Sequence, residues 1–301
     1  MKIAVVIVTY RSAETIEACI RSLDMSTVNT SIIVVDNMSD DETCRLVEER
    51  FPHVRLVRCD DNLGFAEGCN VGIKIAIAEG ATEILLLNPD TTVSASCAEI
   101  LSDAVDSNDE IAAASPLILQ SDARTIWYAG AQFDPVRLHF HHERLGATST
   151  RTQHGIIPTG RPNGCAMMIR SDKFTAVGML DPTYFLYWEE CDWTARARAA
   201  GFSMAFVPDA LVIHEAGHST GGTYSNVTTY YYTRNELRIF RELGGKSRLR
   251  AIRTLIPRSL WRATRATLTA GPRSGYRVAK ATALAYHDFW RGRFGRRDEI
   301  K

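Results

Sequence analysis

The sequence predicts an α/β protein with a mostly parallel central sheet flanked by helices, followed by a basic helical extension. Two patterns carry the prediction. Continuous apolar runs alternate with segments whose apolar residues recur at helical spacing, the rhythm of a parallel sheet with crossover helices. Charge is also unevenly spread. Residues 244–301 hold 15 Lys and Arg against 3 Asp and Glu, leaving 20 basic and 32 acidic residues in 1–243 of a formally neutral chain. A hydrophobic content of 45% over 301 residues is ample for a sizeable core.

Ile3–Val8 is a β-branched run, read as a buried strand. Ser12 is placed to cap a helix whose Ile16, Cys19, Ile20 and Leu23 fall at i, i+3, i+4 and i+7. "SIIVVDN" is a second strand, ending at Asp36-Asn37. Ser39-Asp40-Asp41-Glu42 reads as a capping box, opening a helix through Leu46 and Val47 that stops before Pro52. "VRLVRC" is a weaker third strand, Gly64–Ile77 a glycine turn leading into a helix, and Ile84–Leu87 a fourth strand. Beyond Asp90 a helix near Ser94–Val105 precedes the strand "IAAASPLIL", and residues 121–163 read as a long irregular segment. "CAMMIR" is a strand, Pro182–Gly201 an aromatic and acidic stretch running into an Ala/Arg helix, and "SMAFVPDALVIH" a strand pair or one bent strand. In the tail, Leu249, Ile252, Leu255 and Ile256 alternate with arginines; Pro257 is expected to interrupt that helix, with a second carrying Leu260, Trp261 and Leu268.

Several function classes are excluded. Seven scattered cysteines with no CxxC pair argue against a disulfide framework or structural zinc, and for a reducing compartment. No window approaches 18 consecutive apolar residues and no signal-peptide pattern opens the chain, so a cytoplasmic protein without a membrane span is expected. Neither G-x-G-x-x-G nor G-x-x-x-x-G-K-[ST] occurs where a dinucleotide or Walker-type site would need it.

Ligands of open parallel sheets bind outside the carboxyl ends of the strands. There the sequence sets Thr9-Tyr10, Asp36-Asn37, the Gly64 turn and Asn88-Pro89-Asp90. Tyr10 could be a strand-end lid, Asp36 an Asx-turn residue and Asp90 a turn residue after Pro89. Their arrival on one edge of one sheet instead suggests an aromatic for a base, a carboxylate to accept from that base, and a carboxylate for a metal. A second concentration, "YFLYWEECDWTARARAAG", sets Glu189, Glu190 and Asp192 among aromatics, an arrangement that raises a carboxyl pKa and suits a general base. An acidic first helical turn is the simpler reading. His214 ends a strand and is a core histidine or a metal ligand. His218, Glu215 and the trio His139, His141 and His142 have weaker claims.

"VVIVTYRS", "VVDNMSDDE", "NLGFAEGCNVG", "LLLNPDTTV", "NGCAMMIRSDKFTAVGMLDPTYFLYWEECDWTARARAAGF" and "VPDALVIHEAGHST" occur in order. They resemble the rhamnosyltransferase-like branch of family 2 glycosyltransferases, over roughly residues 1–243. The resemblance implies a GT-A (Rossmann-like) fold, with 1–93 as the nucleotide-binding half, 94–243 as the acceptor and catalytic half, and 244–301 as a basic amphipathic helical tail. It implies an inverting transfer from a nucleoside-diphosphate sugar, aided by Mg²⁺ or Mn²⁺. By the same resemblance Thr9 and Tyr10 line the nucleotide pocket, Asp36 reads the pyrimidine, and Asn62 and Gly64 form the loop near the donor. Asp90 matches the last carboxylate of the D-x-D metal motif, with Asn88 at its first position, and His214 completes the metal site; His218 has no counterpart. Glu190 stands where the family's base is commonly Asp, with Glu189 and Asp192 as fallbacks and Asp192 holding the acceptor or the helix start.

A dTDP- or UDP-linked donor is expected, with L-rhamnose from dTDP-rhamnose the best guess by resemblance. The resemblance implies as acceptor a hydroxyl of a glycan or a polyprenyl-diphosphate-linked saccharide, in the building of cell-envelope polysaccharide. The tail reads either as a basic amphipathic helix on an anionic membrane surface, making the protein peripheral on the inner face, or as a segment docked on the acidic domain or at an oligomer interface. Nucleic-acid binding is not expected, because the basic residues interleave with aliphatics. The competing reading is a non-catalytic nucleotide-sugar-binding relative.

Overall fold

Residues 2–93 fold as the alternation predicts: β1 (Ile3–Thr9), α1 (Ile16–Asp24), β2 (Thr30–Asp36), α2 (Thr43–Arg50), β3 (Arg55–Arg58), α3 (Gly64–Ala78) and β4 (Glu83–Leu87), then the short β5 (Thr91–Val93). The computed structural model describes residues 2–134, 136, 138–150, 152–215, 225–243, 245 and 247–300. Strands β3, β2, β1 and β4 lie side by side, all parallel. Every residue of β1 and β4 is buried, which is why their sequences are unbroken apolar runs. The register sets Thr9 opposite Asp36, so the two strand ends are level.

The chain continues through α4 (Cys97–Asp106), β6 (Ile111–Gln120), β7 (Ile126–Tyr128), β8 (Ala131–Asp134), β9 (His139–His142), β10 (Ile157–Pro158), β11 (Ala166–Arg170) and α5 (Ser171–Val177). A 3₁₀ turn at Pro182–Tyr184 leads to α6 (Glu189–Ala199), β12 (Ser203–His214), α7 (Asn226–Leu243), α8 (Arg248–Ala270) and α9 (Pro272–Arg291). Strand β11 inserts antiparallel between β4 and β6, and β12 pairs parallel to β6 beyond it. The sheet is therefore mostly parallel with one reversed strand inside. β12 is one bent strand: its register against β6 shifts between Val207 and Leu211, and its end pairs His214 with Thr91 of β5. That pairing brings the end of β12 to the edge where β4 ends.

Alternate side chains of β1 feed two cores. Val5 and Ile7 pack with α1, α2 and α4, whereas Val6 and Val8 pack with α3, α5 and α6. Helix α3 lies unusually close to the sheet because Gly68 and Gly72, one turn apart, face Val8 and Val6, and a Cβ on either glycine would overlap those side chains.

Four local expectations are corrected. Ser12 does not cap α1 with its hydroxyl, which accepts from Tyr10 N–H at 3.3 Å; its carbonyl accepts from Thr15 and Ile16. The capping box does not form either. Ser39 Oγ accepts from Arg11 N–H and Asp40 pairs with the Arg11 guanidinium, so α2 opens only at Thr43, whose N–H and hydroxyl donate to Asp41. Residues 121–163 contain β7 to β10, with β8 and β9 as a separate hairpin, too short for periodicity to reveal. Pro257 lies inside an unbroken α8. Pro257 and Arg253 are exposed, so the carbonyl that loses its helix partner can turn to water.

Gly72→Ala is expected to lower stability by about 1–3 kcal/mol through overpacking, although alanine is the better helix former. Adding Val6→Ala opens the missing space and recovers part of the loss. Urea melts of the two single variants and the double variant measure the coupling. Strictly additive losses would contradict the close approach.

Candidate active site at the carboxyl edge of the sheet

The ends of β1 and β2 are cross-linked by polar groups. Thr9 Oγ1 donates to Asp36 Oδ1 at 2.9 Å, and Asp36 Oδ2 accepts from Ser39 N–H at 2.9 Å. Thr9 and Asp36 are both buried, so the aspartate is a fixed acceptor at the floor of the edge. Tyr10 is half-buried above it, with the Arg11 guanidinium 5.2 Å from its ring. Arg11 and Met38 take positive φ at the two crossings out of these strands, a conformation that such residues adopt only under constraint.

The Gly64 turn is built from both sides. Asn62 Oδ1 accepts from Gly64 N–H, and Asn37 Nδ2 donates to the Gly64 carbonyl, each at 2.9 Å. Gly64 has φ +78°, and a Cβ there would strike the Phe185 carbonyl; Phe65 N–H donates to that same carbonyl at 2.7 Å. The expected donor loop therefore touches the aromatic turn that precedes α6. Arg296, near the end of the chain, pairs with Asp61 and donates to the Asn62 carbonyl.

Asp90 and His214 meet where β4 and β12 end. Their Oδ1 and Nε2 atoms are 3.2 Å apart and both residues are buried. Burial alone would lower the His214 pKa; Cys165 and the Asp90 carboxylate more than offset it and push the value up to about 10. The 3.2 Å contact is poorly aligned, leaving Asp90 Oδ1 without a hydrogen bond, and His214 Nδ1 has none either. A buried, orphaned carboxylate oxygen suits a divalent cation, which takes one or two protein ligands, completes its shell with phosphate oxygens and water, and would have to displace the His214 proton for that ring to join it. Among the described residues no group of three His, Cys, Asp or Glu side chains is arranged to hold a metal, so a bound cation would depend on those added oxygens. Asn88 does not join the pair through its backbone: its N–H donates to Cys165 O at 2.9 Å and its carbonyl accepts from Thr91 at 2.7 Å.

The three carboxylates of α6 are separated by the helix. Glu189 is buried, and its Oε2 has no partner. Burial first, and then the neighbouring Glu190, raise its pKa well above the ordinary value. Asp192 turns to the other side and pairs with Arg196 at 2.9 Å, which donates in turn to the carbonyls of Val177 and Met179. Burial raises the Asp192 pKa against the pull of Arg196. Asp192 is thus a strut between α6 and the segment after α5, not part of the Glu190 cluster. Glu190 faces the sheet edge. It lies against Gly164, where a Cβ would come within 3.4 Å of its Cγ, and Gly164 precedes the Cys165 that holds Asn88.

Arg161 completes this cluster, and sequence reasoning missed it. Its Nε is 3.9 Å from Glu190 Oε1, and its guanidinium sits 5.1 Å from the Phe140 ring centre and 5.8 Å from that of Trp188. The only signal was an arginine just before "PNGCAMMIR". His142 lies 3.5 Å from the same guanidinium, and burial, then Arg161, lower its pKa to about 4, so it is a neutral imidazole. His139 and His141 alternate to the exposed face of the hairpin, and Glu215 is exposed with its N–H on the Asp90 carbonyl. His218 lies outside the described residues.

Asn235 was missed as well. Phe185, Tyr187 and Trp188 have φ of 66°, 67° and 74°. Asn235 Nδ2 donates to the carbonyls of Tyr184, Leu186 and Tyr187 at 2.8, 2.8 and 3.0 Å, and Arg234 donates to Tyr184 O at 3.1 Å. One buried amide thus holds the turn that aims Glu190.

Glu189→Gln tests the buried carboxyl. An unfolded chain releases the Glu189 proton near pH 4.5, whereas the folded chain retains it to higher pH. Wild-type stability from this group is therefore fully present below pH 4.5 and falls by about 1.4 kcal/mol per pH unit above it, until the buried carboxyl itself ionises. Thermal melts from pH 5 to 8 should show the glutamine variant gaining on wild type; a gap that does not change with pH would contradict the assignment.

Residues 4–174 match the family model described as Glycosyl transferase family 2. The chain is 30% identical over 237 residues to an N-acetylglucosaminyl-diphospho-decaprenol L-rhamnosyltransferase of Mycobacterium tuberculosis strain H37Rv, covering 72% of this chain and 77% of that protein. It is 24% identical over 245 residues to the dTDP-rhamnosyl transferase RfbF of Shigella flexneri, covering 79% of each. A crystal structure of GalNAc-T7 with UDP, GalNAc and Mn²⁺ superposes with a TM-score of 0.62 at 16% identity, covering 97% of this chain and 56% of that one. S. aureus TarS 1–349 in complex with UDP-GlcNAc superposes with a TM-score of 0.55 at 15% identity, covering 98% and 93%. Those two likenesses are of fold, the GT-A architecture expected from the sequence. The family match spans Thr9, Asp36 and Asp90, and the chain belongs to glycosyl transferase family 2.

Proposed function

We propose that this chain is an inverting, metal-assisted glycosyltransferase that moves L-rhamnose from a dTDP-linked donor to a hydroxyl of a polyprenyl-diphosphate-linked saccharide. The observation that carries the reading is the convergence of a buried Asp90–His214 pair and the Glu190–Arg161 cluster on one edge of the sheet. Rhamnose and the lipid-linked acceptor rest on the names of the curated relatives, one acting on a decaprenol-diphosphate substrate and another named for a dTDP-rhamnosyl transfer. Residues 1–93 supply the donor half, 94–243 the acceptor and catalytic half, and 244–301 the helical extension.

Thr9 and Tyr10 line the nucleotide pocket, and Asp36, fixed by Thr9 and Ser39, accepts from the N–H of the base. Asn62 and Gly64 close the donor side, and Asn88 shapes the turn before Asp90. Asp90 and His214 are the residues that would hold Mg²⁺ or Mn²⁺. When bound there, such an ion would supply neutralisation of the negative charge on the departing diphosphate. Glu190 takes the proton of the acceptor hydroxyl as that oxygen attacks the anomeric carbon. Arg161 orients the Glu190 carboxylate. Burial, and then the neighbouring Glu190, favour the protonated form of Glu189. Asp192 keeps its structural partner and is not a base.

Nucleoside-diphosphate release by the purified full chain tests this reading. It is measured with thymidine- and uridine-linked sugars, in Mg²⁺, Mn²⁺ or EDTA, with lipid-linked acceptor extracts. Release from the thymidine-linked donor should require a metal and vanish in Asp90→Ala. Glu190→Gln should lose roughly 10²–10⁴-fold in turnover while still binding donor. Donor binding without release in any mixture would favour a non-catalytic nucleotide-sugar-binding relative, and undiminished release by Glu190→Gln would overturn the base assignment.

A further inference from the structure

Helix α8 has an apolar face on both sides. Inward, Ala251, Leu255, Ser259 and Ala266 are buried, and Arg262 and Arg258 both reach Glu236 of α7, at 2.8 and 3.8 Å. Helix α8 is thus docked on the rest of the chain, as one of the two sequence expectations for the tail had it. Outward, Leu249, Ile256, Leu260, Trp261 and Leu268 are 58, 42, 65, 59 and 81% exposed. Leu249, Arg253, Ile256 and Leu260 fall at i, i+4, i+7 and i+11, so they form one stripe along the helix, opposite the docked face. Trp261 and Leu268 widen it on one flank, where the Arg265 guanidinium lies 5.1 Å from the Trp261 ring.

A helix that only packs on its own domain turns polar residues outward. This one spends aliphatic and indole side chains there, with arginine inside and beside the stripe. Helices α8 and α9 together hold 10 Lys and Arg and one acidic residue, Asp288, which is buried beneath Arg297 and Tyr230. The outward surface therefore carries positive charge with no described carboxylate from either helix to balance it. None of the described helices is long and apolar enough to cross a membrane.

We propose that the outward face of α8 lies in the headgroup layer of an anionic lipid bilayer. Leu249, Ile256, Leu260 and Leu268 enter the acyl boundary, Trp261 sits at the interface, and the arginines meet lipid phosphates. The stripe is convex and one helix wide, which suits a deformable lipid surface better than a protein groove, and its charge complements anionic headgroups. Membrane docking and docking on the domain use opposite faces and do not compete. The inference stands on the helix alone and is independent of the sugar, the base and the metal.

The test is sedimentation of the full chain with vesicles of phosphatidylcholine and of a phosphatidylcholine–phosphatidylglycerol mixture. Wild type should partition at least about tenfold more strongly onto the mixed vesicles, less so in high salt, with a blue shift of tryptophan emission. Leu260→Glu combined with Trp261→Glu should lose about tenfold or more in partitioning, with an unchanged melting temperature. Leu260→Ser with Leu268→Ser should fall in the same direction if the glutamate pair fails to fold. Donor turnover on a water-soluble acceptor, where one is used, should not change. Equal partitioning of wild type and folded variants would overturn the proposal. So would a wild type that ignores vesicles but self-associates in light scattering through this face, which would make it an interface between copies of the chain.

Discussion

The turn from Pro182 to Trp188 is held in a backbone shape that three of its non-glycine residues would not take unaided, and the arrangement of the site depends on it. Each such left-handed residue costs on the order of 1–3 kcal/mol. The cost is offset by Asn235 and Arg234 of α7, which satisfy the carbonyls that the irregular turn leaves without helix partners. The same turn receives Phe65 N–H through the Phe185 carbonyl, so it is joined to the Gly64 loop as well. Helix α6 consequently starts at a fixed place and angle, with Glu189 buried, Glu190 toward the sheet edge and Asp192 toward Arg196. Three carboxylates that differ little in sequence are given three environments by one helix start.

The last segment of the chain reinforces that geometry. Gly295 N–H donates to the Thr183 carbonyl, Arg234 donates to Gly295 O, and Arg297 N–H donates to the Tyr231 hydroxyl. Arg296 then reaches the Asp61–Asn62 loop. The opposite net charges of 1–243 and 244–301 are thus partly used in contacts between them. They attach a C-terminal strap to the Asp61–Gly64 loop and to the Pro182–Trp188 turn, while α8 keeps its cationic outer face.

Much of this was legible in the sequence where local chemistry and burial agree. The unbroken runs of β1 and β4 revealed strands covered on both faces, and the polar residues that stop them marked the edge at which Thr9, Asp36 and Asp90 gather. The acidic stretch announced itself by composition. What stayed hidden depends on contacts between distant segments. Asn235 reads as an ordinary helical residue until it meets carbonyls about fifty positions earlier, as its own bonds to Tyr184, Leu186 and Tyr187 attest. Arg161 is buried against rings from β9 and the α6 turn, a partnership no spacing encodes. The antiparallel β11 looks like any apolar strand, because direction is a property of topology. Ser12 and the Ser39–Glu42 box had the right residue types for caps, but the Ser12 hydroxyl accepts from Tyr10 N–H, and Arg11 takes Ser39 and Asp40.

In the proposed mechanism, a base on one side of the anomeric carbon and a diphosphate held on the other would make the transfer a single displacement. The anomeric configuration of the product, read by NMR against that of the donor, tests this most directly. The account predicts inversion, an α-linked product from a β-linked dTDP-rhamnose. A β-linked product would contradict it, because retention requires either a second displacement or attack from the leaving-group side, and neither is compatible with Glu190 acting as the base opposite the Asp90–His214 pair.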